Sequence, residues 1–442
     1  MSRDITLPSS TTMEQDARSL SGEGHVAPGE IAIGVVIGRA SEFFDFFVYA
    51  IASVLVFPHL MFPQFDRVTG TLLSFGVFAL AFVARPLGSV MFMAIDRRHG
   101  RGVKLTIALF LLGGSTAAIA FLPGYRDIGW GAVALLSLCR IGQGLALGGA
   151  WDGLASLLAL NAPKTHRGWF AMMPQLGAPL GLLLASGLFT FFVVSLSPAD
   201  FMDWGWRYPF FVAFAVNVVA LFARLRLVVT AEFASLLARQ ELQPTPVGEM
   251  FRTEGSNVLI GAFAPLASFA LFHMVTVFPL SWVYLFTQEG SAHFLELEMG
   301  GCVVCVVAIA ASGAFADRIG RKRFLAICAG AIAVFSIFAP ILLQAGGEGE
   351  VIFMMVGFAL LGLSFGQAAG AVTSNFTRRY RYTGAALTSD LSWLVGAGFA
   401  PLVALALSSR YGLIASGVYL LSGAICTLVA LTINKRLLSQ EI

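Results

Sequence analysis

The 442-residue sequence predicts an all-α polytopic membrane protein, with twelve transmembrane helices in two pseudo-symmetric six-helix bundles. Three observations predict it. Hydrophobic residues make up 57% of the chain and charged residues only 12%, against about 25% charged in a soluble domain. The apolar residues fall in long continuous runs, as a spanning helix of about 20 residues requires, and not in the alternation of a barrel strand. The chain also repeats itself. "IDRRHGRGVK" and "ADRIGRKR" place Asp96 and Asp317, each followed by Arg and then by Gly-Arg, at the end of the second span of each half.

The twelve runs are 31–57, 69–93, 103–122, 129–158, 168–194, 208–229, 256–287, 297–315, 324–344, 351–372, 384–408 and 413–434. Residues 1–30 are polar and mixed in charge, without the short basic region and apolar core of a cleaved leader. They are expected to be a disordered cytoplasmic tail, with 435–442 as a second tail. The polar stretch 230–255 links an N-terminal bundle, 31–229, to a C-terminal bundle, 256–434. Lys and Arg collect in every second loop: Arg97, Arg98, Arg101 and Lys104; Lys164 and Arg167; Arg224, Arg226, Arg239 and Arg252; Arg318, Arg321, Lys322 and Arg323; Arg378, Arg379 and Arg381. The alternate loops hold only Arg67, Arg126, Arg207 and Arg410. Basic loops stay in the cytoplasm, so both termini are expected inside a bacterial-type inner membrane. The five cysteines lie in apolar stretches and imply no disulfide framework or metal centre.

The first span reads "IGRASEFFDFFVYA" and carries Arg39, Glu42 and Asp45. An ionised group at mid-bilayer costs about 2.5–3.5 kcal/mol on insertion scales, so such residues face a bundle interior or a watery path. At 1.5 Å per residue Asp45 lies roughly 21 Å from residue 31. Arg39, Glu42, Asp45 and Tyr49 follow one another by three, three and four residues and share a face. Arg39 and Glu42 can pair within the helix. Asp45 has no partner there and is the first candidate to carry a coupling proton, with Glu42 second. Arg85 and Arg140 lie inside spans two and four of the same half. Arg140, Gln143, Leu147 and Trp151 recur at helical spacing, setting a cation, an amide and an aromatic on one face, a lining for an organic anion. Either Arg instead neutralises Asp45 or Asp152. His273 in span seven reads first as a hydrogen-bonded structural group, and the prolines Pro174, Pro179, Pro265 and Pro279 mark spans five and seven as bending elements. In the repeated loops, Asp96 and Asp317 are placed to accept backbone N–H groups at a neighbouring helix start. Arg97, Arg101, Arg318 and Arg321 are placed to pair with acids, which makes the loops gating candidates.

"GAFADRIGRK" (313–322) resembles the signature loop of the major facilitator superfamily; the first copy has one extra residue before Gly100 and Phe92 in place of the leading Gly. "SEFFDFFVYA", "ARPLGS" (84–89), "RIGQGLALGGAWDG" (140–153), "WGWRYPFF" (204–211) and "RYTGAAL" (381–387) are similar to motifs of its metabolite:proton symporters. The resemblance implies the major facilitator fold, a site between the halves, and inward carriage of organic acids, aromatic acids or zwitterionic osmolytes with protons. The chain departs from that pattern at Ala150, where the family has Glu, at Arg39, and at Asp390, where it often has Asn. Asp152, two residues beyond Ala150, points elsewhere on the helix. Arg39, Asp152 and Asp390 are therefore expected to form a rearranged charge network.

The expected function is secondary active transport: proton-coupled symport of a small organic anion, a carboxylate or aromatic acid, by alternating access. A zwitterionic osmolyte or a drug-like efflux substrate is the alternative cargo, and a ligand sensor that moves nothing is the alternative class. An enzyme is not expected, since six His scattered through the chain form no nucleophile or metal cluster, and no phosphate-binding Gly-rich loop with Lys-Ser/Thr is present. No cofactor, metal or nucleic acid is expected, and the chain is expected to act as a monomer in the lipid bilayer.

Overall fold

The computed structural model describes residues 28–150, 166–228, 243–373, 375–377 and 379–434, all helix and short connections. Residues 1–27 and 435–442, the linker up to residue 242, Trp151 and Asp152 lie outside the described residues.

The long helices are α1 (Pro28–Leu55), α2 (Arg67–His99), α3 (Arg101–Ala120), α4 (Trp130–Gly149), α5 (Arg167–Ser195), α6 (Tyr208–Val228), α7 (Leu266–Phe286), α8 (Ser291–Ile319), α9 (Arg321–Ala345), α10 (Gly347–Thr373), α11 (Arg381–Tyr411) and α12 (Ile414–Ile433). Among the described residues, α2 to α5 and α7 to α12 are long and apolar enough to cross a membrane, and α6 is so from Gly205 to Phe222. The remaining long helix, α1, is long enough too, but every 18-residue window of it contains Arg39, Glu42 and Asp45. Its charges sit where the fold buries them, so α1 is the twelfth span.

The bends fall where sequence chemistry puts them. In α5, Met173–Leu176 tightens into a 3₁₀ turn at Pro174. The polar linker is shorter than the sequence suggests, because Val247–Phe263 is already helix. That helix breaks at Pro265, and α7 breaks again at Thr276, ahead of Pro279. In α11, Trp393–Gly398 forms a π-helical turn, the kind of local widening that recurs at functional positions.

Within the N-terminal bundle α2 packs on α4, α1 on α5 and α6, and α3 on α6; in the C-terminal bundle α8 packs on α10 and α9 on α12. The bundles meet most extensively along two pairs, α2 with α11 and α5 with α8, which exchange under the pseudo-two-fold repeat, and further where α1 meets α7 and α5 meets α10. Close approach of α2 to α4 rests on a small-residue stripe: a Cβ at Gly144 would lie 2.3 Å from the Ala81 carbonyl oxygen, and one at Gly148 2.3 Å from that of Arg85. Such stripes are how membrane helices associate without a hydrophobic drive. Gly148→Leu is expected to abolish monodisperse protein on size exclusion, since backbone, not a flexible side chain, would have to move.

Gly100 and Gly320 end α2 and α8 with φ of 86°, the left-handed region that favours glycine. Asp96 lies four residues before its Gly and Asp317 three. One helical residue is about 100° of rotation, so the extra residue of the first loop turns Asp96 away from the direction Asp317 takes.

Candidate functional site

The centre of the molecule, between the bundles, is a wall of rings. Phe43, Phe46 and Phe47 of α1, Phe78 and Phe82 of α2, Phe269, Phe272 and His273 of α7, Phe365 of α10 and Trp393 of α11 interlock with centroids mostly 5–6 Å apart. The π-helical turn of α11 brings Trp393 to this wall.

Arg140 of α4 is buried among the rings. Its guanidinium carbon lies 4.0 Å from the Tyr49 ring centroid, 4.8 Å from Phe78 and 5.6 Å from Phe46. A desolvated cation over ring faces gains on the order of 2 kcal/mol per good contact. Nε donates to the Phe78 carbonyl at 3.2 Å and Nη1 to Gln143 Oε1 at 3.0 Å. Gln143 Nε2 donates to Thr116 Oγ1 at 2.8 Å, and Thr116 donates to Asp45 Oδ1 at 2.6 Å. A line of donors thus runs from the guanidinium to the carboxylate across α4, α3 and α1. Three buried polar atoms near the Phe46 and Phe78 rings have no partner among the described residues: Arg140 Nη2, the Tyr49 hydroxyl and His273 Nε2. The His273 ring stacks on Phe46 at 5.4 Å and meets Phe78 edge-on at 5.5 Å. Orphaned buried donors are rare and point to a ligand or water.

Beside this cluster a narrow cleft, partly open to solvent, is lined by Arg39, Glu42, Phe46, Phe82, Arg85 and Trp393, among others. Here the expected stripe on α1 divides. Arg39 pairs with Glu42 toward the cleft, whereas Asp45 and Tyr49 belong to the Arg140 cluster. Arg85, expected to reach for a substrate or to neutralise Asp45 or Asp152, bonds Asp390 of the other bundle, Nε to Oδ1 at 2.7 Å, and Ser89 donates to the other carboxylate oxygen. The acid that departs from the family pattern is the partner of a buried inter-bundle ion pair. Removing one member of such a pair costs about 3–5 kcal/mol, and replacing both far less. Asp390→Ala is therefore expected to lower the thermal midpoint more than Arg85→Met with Asp390→Leu together.

The gating loops act differently in the two halves. Asp317 accepts the backbone N–H of Gly168 at 2.6 Å and of Trp169 at 3.1 Å, capping the start of α5 in the other bundle. The approach needs Gly168, where a Cβ would lie 2.7 Å from the Gly313 oxygen. Asp96, turned away by the extra residue, pairs at 3.4 Å with Arg101 and with Lys104 and accepts the Tyr382 hydroxyl of α11 at 3.4 Å. Lys104 donates to the same hydroxyl at 2.8 Å. Arg321 donates to Gln367 and to the Gly370 carbonyl of its own bundle, and Arg97 and Arg318 are exposed. These latches join the bundles at the end carrying the Arg-rich loops. At the opposite end, His59 and the Tyr284 hydroxyl are 3.0 Å apart and Arg67 donates to the Tyr284 carbonyl at 3.2 Å. Burial first, then the Arg67 guanidinium, holds the His59 imidazole below its ordinary 6.5, so it bonds Tyr284 as the neutral ring at pH 7. The bundles are joined at both ends.

Sequence reasoning had no hold on Thr116, Lys104 or Tyr382 as site or latch residues, nor on the ring wall, because Phe in a membrane helix carries no signal of which way it faces.

The sugar (and other) transporter family model matches residues 31–255. The inner membrane metabolite transport protein YhjE of Escherichia coli K12 is 35% identical over 97% of this chain and all of its own length. The shikimate transporter of the same organism is 32% identical over 97% of this chain and 98% of its own; its proline/betaine transporter is 27% identical over 89% and 80%. Among solved structures, a D-xylose-proton symporter superposes with a TM-score of 0.70 over 92% of this chain and 97% of its own, at 19% identity, a likeness of fold.

Proposed function

Because the chain belongs to the sugar (and other) transporter family of the major facilitator superfamily, a family of membrane transporters and not enzymes, we propose that it is a symporter moving one small cyclic or aromatic carboxylate with one proton, inward across the inner membrane, by alternating access. One observation carries the reading: a buried guanidinium midway along α4, with one unpartnered nitrogen, wired through Gln143 and Thr116 to the carboxyl of Asp45.

Charge balance gives the coupling. Arg140 and an ionised Asp45 sum to zero, so the empty carrier is neutral at its centre. A carboxylate arriving on Arg140 Nη2 and the Tyr49 hydroxyl leaves one uncompensated negative charge in a low dielectric, which a proton on Asp45 removes. Either ion alone is costly to bury; both together, or neither, let the bundles rearrange. The rings around Arg140 suit a flat or cyclic body. The kinship with a shikimate transporter supports the same class.

A zwitterion is the second reading. The rings of Phe269, Phe272 and Phe365 stand away from Arg140, and ring faces attract quaternary ammonium.

The test is uptake by proteoliposomes with an imposed pH gradient, offering cyclic and aromatic carboxylates, aliphatic dicarboxylates and glycine betaine. Accumulation of a cyclic carboxylate that stops when the gradient is collapsed is the expected result. Uptake confined to cations, or indifferent to the gradient, sinks the reading.

A further inference from the structure

A second carboxyl lies deep in the protein and outside this network. Glu298, two turns inside the α8 end opposite the Arg-rich loops, is 1% exposed. It accepts a hydrogen bond at 2.8 Å from Ser186 of α5, which is 0% exposed and belongs to the other bundle. No ion pair joins Glu298 to a described residue. The elements around it are almost free of charge. The Gly177–Ser195 stretch of α5 has no titratable side chain. The Met173–Leu176 turn has none. The Val277–Phe286 half of α7 offers Tyr284, engaged by His59. On α10 the acids are Glu348 and Glu350 at its outer end, and Glu350 bonds Glu289. On α8 itself Glu296, two residues back, is exposed on another face of the helix, and the nearest group toward the interior is the Cys302 thiol, one turn on.

The same two helices carry the latch at the other end, where Asp317 of α8 caps the start of α5. Glu298 and Asp317 are 19 residues apart on one continuous helix, roughly 28 Å. The α5–α8 seam therefore has a polar clasp near each end. Rocking the bundles apart on one side separates one clasp and leaves the other. The two clasps differ in kind. Asp317 meets backbone N–H groups of a helix start, which suit an ionised carboxylate. Glu298 meets one hydroxyl in apolar surroundings, which suits a neutral carboxyl, since an ionised one with a single neutral partner is costly to bury.

We propose that Glu298 is a second proton-binding residue of the transport cycle: it holds a proton while the α5–α8 seam is closed over it and releases it to water when the seam opens on its side. The inference rests on the proton-coupled reading above and adds a site to it. Closing over an ionised Glu298 is then the penalised step.

The test uses the full-length protein in lipid, without substrate. Infrared spectra across neutral pH are expected to contain the carbonyl stretch of a protonated carboxylic acid that is lost in Glu298→Gln and shifted in Ser186→Ala, which keeps the carboxyl but removes its hydrogen bond. Counterflow exchange at symmetrical pH is expected to slow more steeply as pH rises in the parent protein, which must load both Asp45 and Glu298, than in Glu298→Gln, which must load Asp45 alone, the two profiles diverging by up to about tenfold per pH unit. A band unaltered by both variants overturns the proposal, and so does an unchanged pH profile in Glu298→Gln. The spectrum needs no cargo, so it decides the matter even if the carboxylate reading fails; a protein that carries carboxylates with an unchanged profile fails this proposal alone. If Glu298→Gln does not fold, the Ser186→Ala shift decides.

Discussion

Arg140→Ala is expected to abolish carboxylate uptake, and Arg140→Lys to leave no more than a few per cent of it. The guanidinium uses its fork fully: Nε is held by the Phe78 carbonyl, Nη1 by Gln143, and Nη2 is free for a ligand. Lysine keeps the charge but has no second and third nitrogen to hold while offering the first. Truncating one side of a buried, hydrogen-bonded charge contact costs about 2–5 kcal/mol, which is roughly 30- to 4,000-fold in affinity. Initial rates in proteoliposomes and direct binding to purified protein both read this. Arg140→Ala also leaves the Asp45 carboxyl without its nearest cation, so it is expected to lower the thermal midpoint, and Asp45→Asn in the same chain is expected to restore much of the stability without restoring uptake. Uptake by a folded Arg140→Ala within a few fold of the parent would remove Arg140 from the binding site.

How much of this was legible beforehand differs by kind of residue. The membrane architecture was, because twelve continuous apolar runs and alternating basic loops have one economical solution in a bilayer. Even the helix that breaks the apolarity rule, α1, is explained by the charges that break it. The pairing of Arg39 with Glu42 followed from three-residue spacing alone, and Asp317 at a neighbouring helix start followed from the chemistry of orphaned N–H groups. What sequence could not reach was which side chains of one bundle pair with which of the other. Arg85 and Asp390 are 305 residues apart, and no periodicity within either helix says that they meet. The single inserted residue before Gly100 was visible, but its effect, a rotation of Asp96 onto Lys104 and Tyr382, needed the helix geometry. Glu298 stood at the edge of the predicted span 297–315 and drew no reading; α8 begins at Ser291 and buries it. Trp151 and Asp152, both expected at the site, lie outside the described residues.

Asp45→Asn is expected to separate exchange from accumulation. Asparagine has the shape of a protonated aspartate and keeps a hydrogen-bonding oxygen for Thr116, so the loaded carrier, with anion and Arg140 balanced, is mimicked permanently. Counterflow of labelled for unlabelled carboxylate runs only through loaded states and is expected to stay within about fivefold of the parent. Net uptake must also return the empty carrier. In Asp45→Asn that carrier holds Arg140 with no carboxylate on the line of donors, an uncompensated buried charge costing about 3–5 kcal/mol. The return step, and with it accumulation driven by a pH gradient, is expected to fall more than a hundredfold. The two assays on one preparation separate this outcome from simple misfolding, which would lower both. Undiminished gradient-driven accumulation by Asp45→Asn would show that the proton rides elsewhere, and Glu42 would be the next residue to exchange. Loss of counterflow along with uptake in a folded protein would mean that Asp45 must be ionised for cargo to bind, which reverses the order of charge compensation argued from the Arg140–Gln143–Thr116–Asp45 line.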